Sequence, residues 1–260
     1  MTRRAEVGAC LLALMACHAA LAAAAPIGPQ VSRKPAPDIF GSRQQVEVST
    51  VAIDDAGTSP DYVIAARVPA FANDGERRAE AFGAELRDFV HGVIGDFKRD
   101  LAKALQVPAK AASHLDVKFH VVSPPGHVLS IKFEIESDLA GAAHPSHSVR
   151  AFTWDLDEGK DIALPELFGI GRDYLGPISK YCAAQLGTRN IGFGDFSQGA
   201  DPMPENYRNW NITAAGLMIT FDEAQVAPYA AGPQVVTVPY DFLSALIDTM
   251  GPLAILAVRR

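Results

Sequence analysis

Two alternating runs flank Pro124-Pro125-Gly126, and they constrain this chain more than any other feature. Leu115, Val117, Phe119 and Val121 recur at every second position before the turn, and Leu129, Ile131, Phe133 and Ile135 do so after it. A period of two puts each set on one face of a strand, so the pair predicts an antiparallel hairpin with one buried face. An apolar sheet face needs a cover, and the segment just upstream supplies one. Phe82, Leu86, Phe89, Val90, Val93, Phe97, Leu101 and Leu105 recur at helical spacing, the stripe of a long amphipathic helix. Asn73, with Glu76 three residues on, is a capping-box pair that satisfies free backbone amides at its start. Pro108 ends it. Gly83, Gly92 and Gly95 interrupt the helix, each at a cost of about 1 kcal/mol relative to alanine; close packing on a sheet is the expected reason for them.

The same reading extends along the chain. Gln44 to Asp54 alternates as a strand, Asp55-Ala56-Gly57-Thr58 reads as its turn, and Tyr62 to Phe71 as a second strand ending near Pro69. Val149 to Leu156 is a further strand, with Asp157 to Lys160 as its turn, and Leu164 to Phe168 is a short apolar clasp. Leu175, Ile178, Cys182 and Leu186 mark a second helix over residues 172–186, stopped by Gly187. Residues 190–209, rich in Gly, Asn, Pro and aromatics, read as a long loop. Ile212 to Phe221 and Gln234 to Val238 are strands, and Asp241 to Met250 a closing helix. Strands and helices come in runs rather than strict alternation. That predicts an α+β fold with a largely antiparallel sheet and helices packed on one face. With 260 residues, 48% of them hydrophobic, the chain can bury a substantial core.

The first residues look different. Arg3 and Arg4 precede a short apolar stretch, Val7 to Ala16, too short to span a bilayer comfortably. Residues 1–24 therefore read as a secretory signal peptide, and the proline-bearing residues 25–42 as a linker. Two cleavage readings compete. Ala22-Ala23-Ala24 suits a general signal peptidase and simple secretion. Leu14-Met15-Ala16-Cys17 resembles a lipobox, which would lipidate Cys17 and anchor the protein to a membrane. Either places the body in the periplasm or outside the cell, with no transmembrane segment beyond the signal. Of the three cysteines, Cys10 and Cys17 belong to this leader. Cys182 remains alone in the body, so no internal disulfide holds the fold although the compartment is oxidising. The net charge is −7, and loss of Arg3, Arg4 and Glu6 with the leader makes it more acidic still. Such a surface repels nucleic acid and tolerates a basic partner.

Two stretches are more specific than pattern. One runs Gly141-Ala142-Ala143-His144-Pro145-Ser146-His147, then Phe152-Thr153-Trp154-Asp155-Leu156-Asp157-Glu158-Gly159-Lys160 and Leu164-Pro165-Glu166-Leu167-Phe168. The other runs from Phe221-Asp222-Glu223 through Pro228-Tyr229-Ala230-Ala231-Gly232-Pro233 to Val238-Pro239-Tyr240. Together they resemble the DUF3298 family of exported bacterial domains of unknown function. The resemblance covers roughly residues 44–248. It implies a body in two regions: an N-terminal α+β region over 43–139, similar to the DUF4163 regions found beside peptidoglycan deacetylases, and a DUF3298-like region over 140–250, packed together. The family includes the extracellular part of a lysozyme-sensing anti-sigma factor and a secreted mycobacterial antigen. The sigma-binding segment and the membrane-spanning helix of such relatives have no counterpart here, so sigma-factor control does not carry over, and the deacetylase domain is absent too.

Catalytic constellations are weak in this chain. His144 and His147 bracket a proline, and His120 and His127 lie near the hairpin, but their spacing is not that of a helical metal motif. The blander expectation is that His144 hydrogen-bonds the backbone of a tight connection. No G-x-S-x-G elbow is present, and Cys182 sits on the apolar face of its helix, where a thiolate is disfavoured. Asp222 and Glu223 are the least arbitrary carboxylate pair, and a solvated turn is their expected setting. The stiff loop from Ala227 to Pro233 offers Pro228, Tyr229 and Gly232, and Tyr229 either faces a ligand or packs inward as a corner. Tyr207 and Trp210 add aromatic faces suited to sugar rings or a protein. The expectation is a binding or sensing module of the cell envelope without catalytic activity, metal or cofactor. Its expected ligand is a protein, such as a basic, lysozyme-like one, or a cell-wall glycan, met by His144, His147, Tyr207, Trp210, Pro228, Tyr229 and Gly232. The alternative is a metal-dependent deacetylase or hydrolase of envelope polysaccharide.

Overall fold

The structure, a computed structural model, describes residues 46–72, 74–104, 112–124 and 126–254. The leader, the linker, Cys17, Asn73, Leu105 and Pro108 lie outside the described residues. Strands β1 (Glu47–Thr58), β2 (Asp61–Ala72), β3 (Ser113–Val121), β4 (Val128–Asp138), β5 (Ser146–Asp155) and β6 (Lys160–Asp161) form one sheet in sequence order. β2 and β3 run parallel, and the other neighbours antiparallel. A parallel pair needs a crossover, and helix α1 (Asp74–Ala104) supplies it.

The expected hairpin is β3–β4, with Phe119 opposite Phe133 and Val117 opposite Ile135. The α1 stripe covers it. Phe82, Leu86 and Val90 are fully buried and Phe97 and Leu101 nearly so. Phe82 stacks on Trp154 at 5.1 Å and on Phe71 at 5.9 Å between ring centroids. Of the three helix glycines only Gly83 meets the sheet: a Cβ there would lie 3.3 Å from the Phe71 ring, while Gly92 and Gly95 face open space.

The second half builds a smaller sheet, β7 (Trp210–Ile212), β8 (Gly216–Phe221) and β9 (Gln234–Pro239), with helix α2 (Leu175–Gly187). Ile178, Cys182 and Leu186 of α2 are buried with Ile212, Leu217, Ile219, Phe221, Val236 and Val238. Burial pushes the Cys182 thiol up to about 12, so it stays protonated. The class is α+β as expected.

A polar node joins the two layers. Ser130 of β4 and Thr153 of β5 share a hydrogen bond at 2.8 Å. Asn211 Nδ2 donates to Ser130 Oγ at 2.9 Å and to the Ile131 carbonyl at 3.1 Å, and the Ile212 amide donates to Ser130 Oγ at 3.2 Å. All three side chains are buried. Because β5 and β6 belong to the large sheet, that sheet runs across residue 139, and the two sequence regions share it.

Four local expectations change. Asp55 to Thr58 is strand, paired with Asp61 to Ile64, and the turn falls at Ser59-Pro60. Asp55 is held there by Lys98 of α1 at 2.5 Å and by the Tyr62 hydroxyl at 3.1 Å. The strand expected from Ile212 to Phe221 is two strands, because Thr213 closes a turn on the Gly216 carbonyl at 2.8 Å. The closing helix is only α3 (Tyr240–Leu243). Beyond it the chain bonds the clasp instead: Gly169 donates to the Leu246 carbonyl at 3.0 Å and Asp248 to the Leu167 carbonyl at 3.0 Å. The long loop contains two 3-10 segments, Phe193–Ala200 and Pro204–Tyr207. They are tied down by Gln225, whose Nε2 donates to the Gly199 and Asn206 carbonyls at 2.9 and 3.0 Å. Only glycine allows that approach at 199, where a Cβ would stand 1.8 Å from the Gln225 carbonyl oxygen. Among the described residues no helix is long and apolar enough to cross a membrane.

Candidate ligand-binding site

The β4–β5 connection and the loop after β8 meet, and they bring three of the expected residues together. Ala142 donates to the Leu139 carbonyl at 2.8 Å, which tightens the connection before His144. His144 Nδ1 donates to the Pro145 carbonyl at 3.0 Å. The Tyr229 hydroxyl donates to the same carbonyl, and the His144 and Tyr229 rings lie 4.0 Å apart between centroids. Burial, then the charges of Glu223 and Glu136, raise the Tyr229 hydroxyl above its ordinary range. Tyr229 thus works as a corner that pins the His144 loop, and keeps one half-buried face.

His147, two residues into β5, is held on two sides. Its Nδ1 donates to Glu223 Oε1 at 3.1 Å, and its backbone amide donates to Glu223 Oε2 at 3.1 Å. Glu136, its cross-strand partner on β4, lies 3.7 Å from Nε2. The neighbouring carboxylate behaves alike: Asp222 Oδ1 accepts from the Val149 amide at 3.3 Å and from Asn209 Nδ2 at 3.1 Å, and Arg208 pairs with Oδ2. Asp222 and Glu223 are therefore not a solvated turn. Their side chains are 16% and 10% exposed, and they bond β5 amides at the place where another strand would pair.

The remaining expected residues separate. Gly232 takes the left-handed conformation, φ +63°, that closes the loop. Exposed Pro228 packs over Gly192. Tyr207 and Trp210 are buried in the second core and present no face to a ligand; Tyr207 donates to the Ala200 carbonyl at 2.6 Å. His120 pairs with Glu134 at 3.2 Å, and His127 lies against the Pro252 carbonyl at 3.3 Å in a different groove. Among the described residues no group of three or more His, Cys, Asp or Glu is placed to hold a metal ion. His147 Nδ1 is taken by Glu223, and its Nε2 faces Glu136.

Beside His147 the small sheet stands off the large one and leaves a cleft of about 300 Å³. It is lined by charged groups on β3 and β4, by Ser148 and Val149 of β5, by Thr220 of β8, and by Pro233 and Val235. Motif reading missed this cleft. Glu136 was accessible in principle, as the residue facing His147 once the β4–β5 register is set, but Thr220 carries no local signal.

The chain is 23% identical over 191 residues to the immunogenic protein MPT64 of Mycobacterium tuberculosis, covering 73% of this chain and 80% of that one. It is 23% identical over 205 residues to the peptidoglycan-N-acetylmuramic acid deacetylase PdaC of Bacillus subtilis, spanning 78% of this chain but only 42% of the deacetylase. An esterase of M. tuberculosis is 27% identical over 185 residues, 70% of this chain and 77% of the esterase. A solved DUF3298-family structure from Bacteroides fragilis shares the fold, with a TM-score of 0.58 at 15% identity over 81% of this chain and 97% of that one. Residues 165–241, from the clasp through α2 and the small sheet into α3, match the DUF3298 family, a protein family of unknown function. The match to that family thus lies in the second half of the chain.

Proposed function

We propose that this protein is an exported module of the cell envelope that binds or senses a ligand without transforming it, at the His147 joint and the cleft beside it. Both oxygens of Glu223 are committed to His147 of β5, so the acid nearest the histidine serves as a clamp, and this observation carries the reading. An open cleft with mixed polar and apolar lining next to a rigid joint is what a recognition site requires. The signal-like residues 1–24, the linker 25–42 and the likeness to a peptidoglycan deacetylase support a place in the envelope, periplasmic, secreted or anchored through Cys17. We assign residues 43–139 to a DUF4163-like region and 140–250 to the DUF3298-like one, sharing the large sheet. The ligand is a cell-wall glycan or a basic protein such as lysozyme.

The test is titration of the mature protein with solubilised wall fragments and with lysozyme. Saturable binding of one of them, lost in Glu223→Ala and His147→Ala, is expected. No binding of either removes this reading. A second reading, a metal-dependent deacetylase or hydrolase using His144, His147 and a nearby acid, is favoured by the two enzymes among the relatives. Release of acetate from wall fragments on adding zinc, abolished in His147→Ala, would establish it instead.

A further inference from the structure

We infer that the cleft beside His147 takes an uncharged saccharide, a ring bearing hydroxyl groups. The inference rests on the binding reading above and names its ligand. It starts from Thr220. This residue lines the cleft, is 2% exposed, and its hydroxyl has no hydrogen-bond partner among the described residues. A buried hydroxyl left unpaired costs about 1–3 kcal/mol, and a ligand that donates to it or accepts from it removes that cost.

The charged lining points to a neutral ligand. Asp116, Glu134 and Glu136 face Lys118 and Lys132, so the two signs nearly cancel. Lys132 pairs with Glu134 at 2.6 Å and Lys118 with Asp116 at 3.0 Å. The bond from Lys132 holds the Glu134 carboxyl below its ordinary range, so that pair stays ionised. A charged ligand would have to break such a pair and pay its desolvation. A hydroxyl donates to the carboxylate and accepts from the ammonium at once, and leaves both pairs in place. Val149, Ile135, Pro233 and the 37%-exposed Val235 supply the apolar surface that meets the C–H face of a ring.

The experiment uses the mature chain, a tetramer of N-acetylglucosamine, and lysozyme as the protein comparator, read by calorimetry. The saccharide is expected to bind. Thr220→Val keeps the side-chain shape and removes the hydroxyl; it should weaken saccharide binding about fivefold to tenfold while leaving the melting midpoint equal or higher. Val235→Asp, at an exposed position, should abolish binding without unfolding the protein. Saccharide binding unchanged in both variants overturns the placement in this cleft. Lysozyme binding without saccharide binding overturns the ligand class and keeps the binding module. Binding of neither removes both.

Discussion

The two layers of this molecule bury similar kinds of side chain but hold them differently. In the first, a helix of 31 residues lies on a six-stranded sheet, and aromatic rings from Phe71, Phe82 and Trp154 stack in one column. In the second, a helix of 13 residues, short 3-10 segments and a three-stranded sheet are tied by single side chains reaching to backbone: Gln225, Asp222, Glu223 and Tyr207. Periodic burial builds the first layer. Specific hydrogen bonds position the second, and the candidate site lies where it meets the sheet of the first. A ligand site needs fixed polar groups and an opening, and a closely packed helix-on-sheet core offers neither.

The most severe test of this contrast is Phe82→Ala. Removing a fully buried ring from the aromatic column should cost about 4 kcal/mol, seen as a fall in denaturation midpoint. Because β4 and β5 serve both layers, loss of helical signal and exposure of Cys182 to a thiol reagent should coincide. Cys182 remaining protected after α1 melts would show that the layers unfold separately, and would break the picture of a shared sheet.

Next in size is Asn211→Ala, which strips two hydrogen bonds from the buried node, to Ser130 Oγ and to the Ile131 carbonyl. About 3 kcal/mol is expected, measured by chemical denaturation. A cost comparable to that of a surface asparagine would mean the node is not what joins the layers. Gln225→Ala should cost about 2 kcal/mol and act locally: amide exchange should quicken across residues 193–207 while α1 keeps its protection. Quickening in both would erase the distinction between periodic and stitched layers.

The smallest effect belongs to the carboxyl pair Glu85 and Asp161. Burial raises both above the ordinary carboxylate range, and their shared hydrogen bond keeps the proton on Glu85. The folded state thus binds protons more tightly than the unfolded chain, so stability falls as pH rises from about 4 through the raised folded values. Asp161→Asn should flatten that slope by a few tenths of a kcal/mol, given how exposed the position is. The check is the denaturation midpoint of variant and parent between pH 4 and 7; an unchanged slope would remove the pair from the first layer's energetics.

Much of the first layer was legible in the sequence. The β3–β4 hairpin, the α1 stripe and its burial follow from periods of two and 3.6, which are local properties of the chain. The cysteine on the buried face of α2 was legible for the same reason. The site was legible only in part. The motif around His144 and His147 and the loop bearing Tyr229 stood out, yet nothing local showed that Glu223 would clamp β5 or that Glu136 would face His147, since 76 residues separate His147 from Glu223. Tyr207 and Trp210 looked like surface aromatics in a loop, yet Trp210 opens β7, and Tyr207 ends a 3-10 segment whose Asn206 carbonyl is held by Gln225, further along the chain. Local periodicity, by itself, determined the class and the main core. Contacts between distant segments decided the joint, the cleft and the orphaned hydroxyl of Thr220, because hydrogen bonds across long loops leave no repeating pattern in the residues that make them.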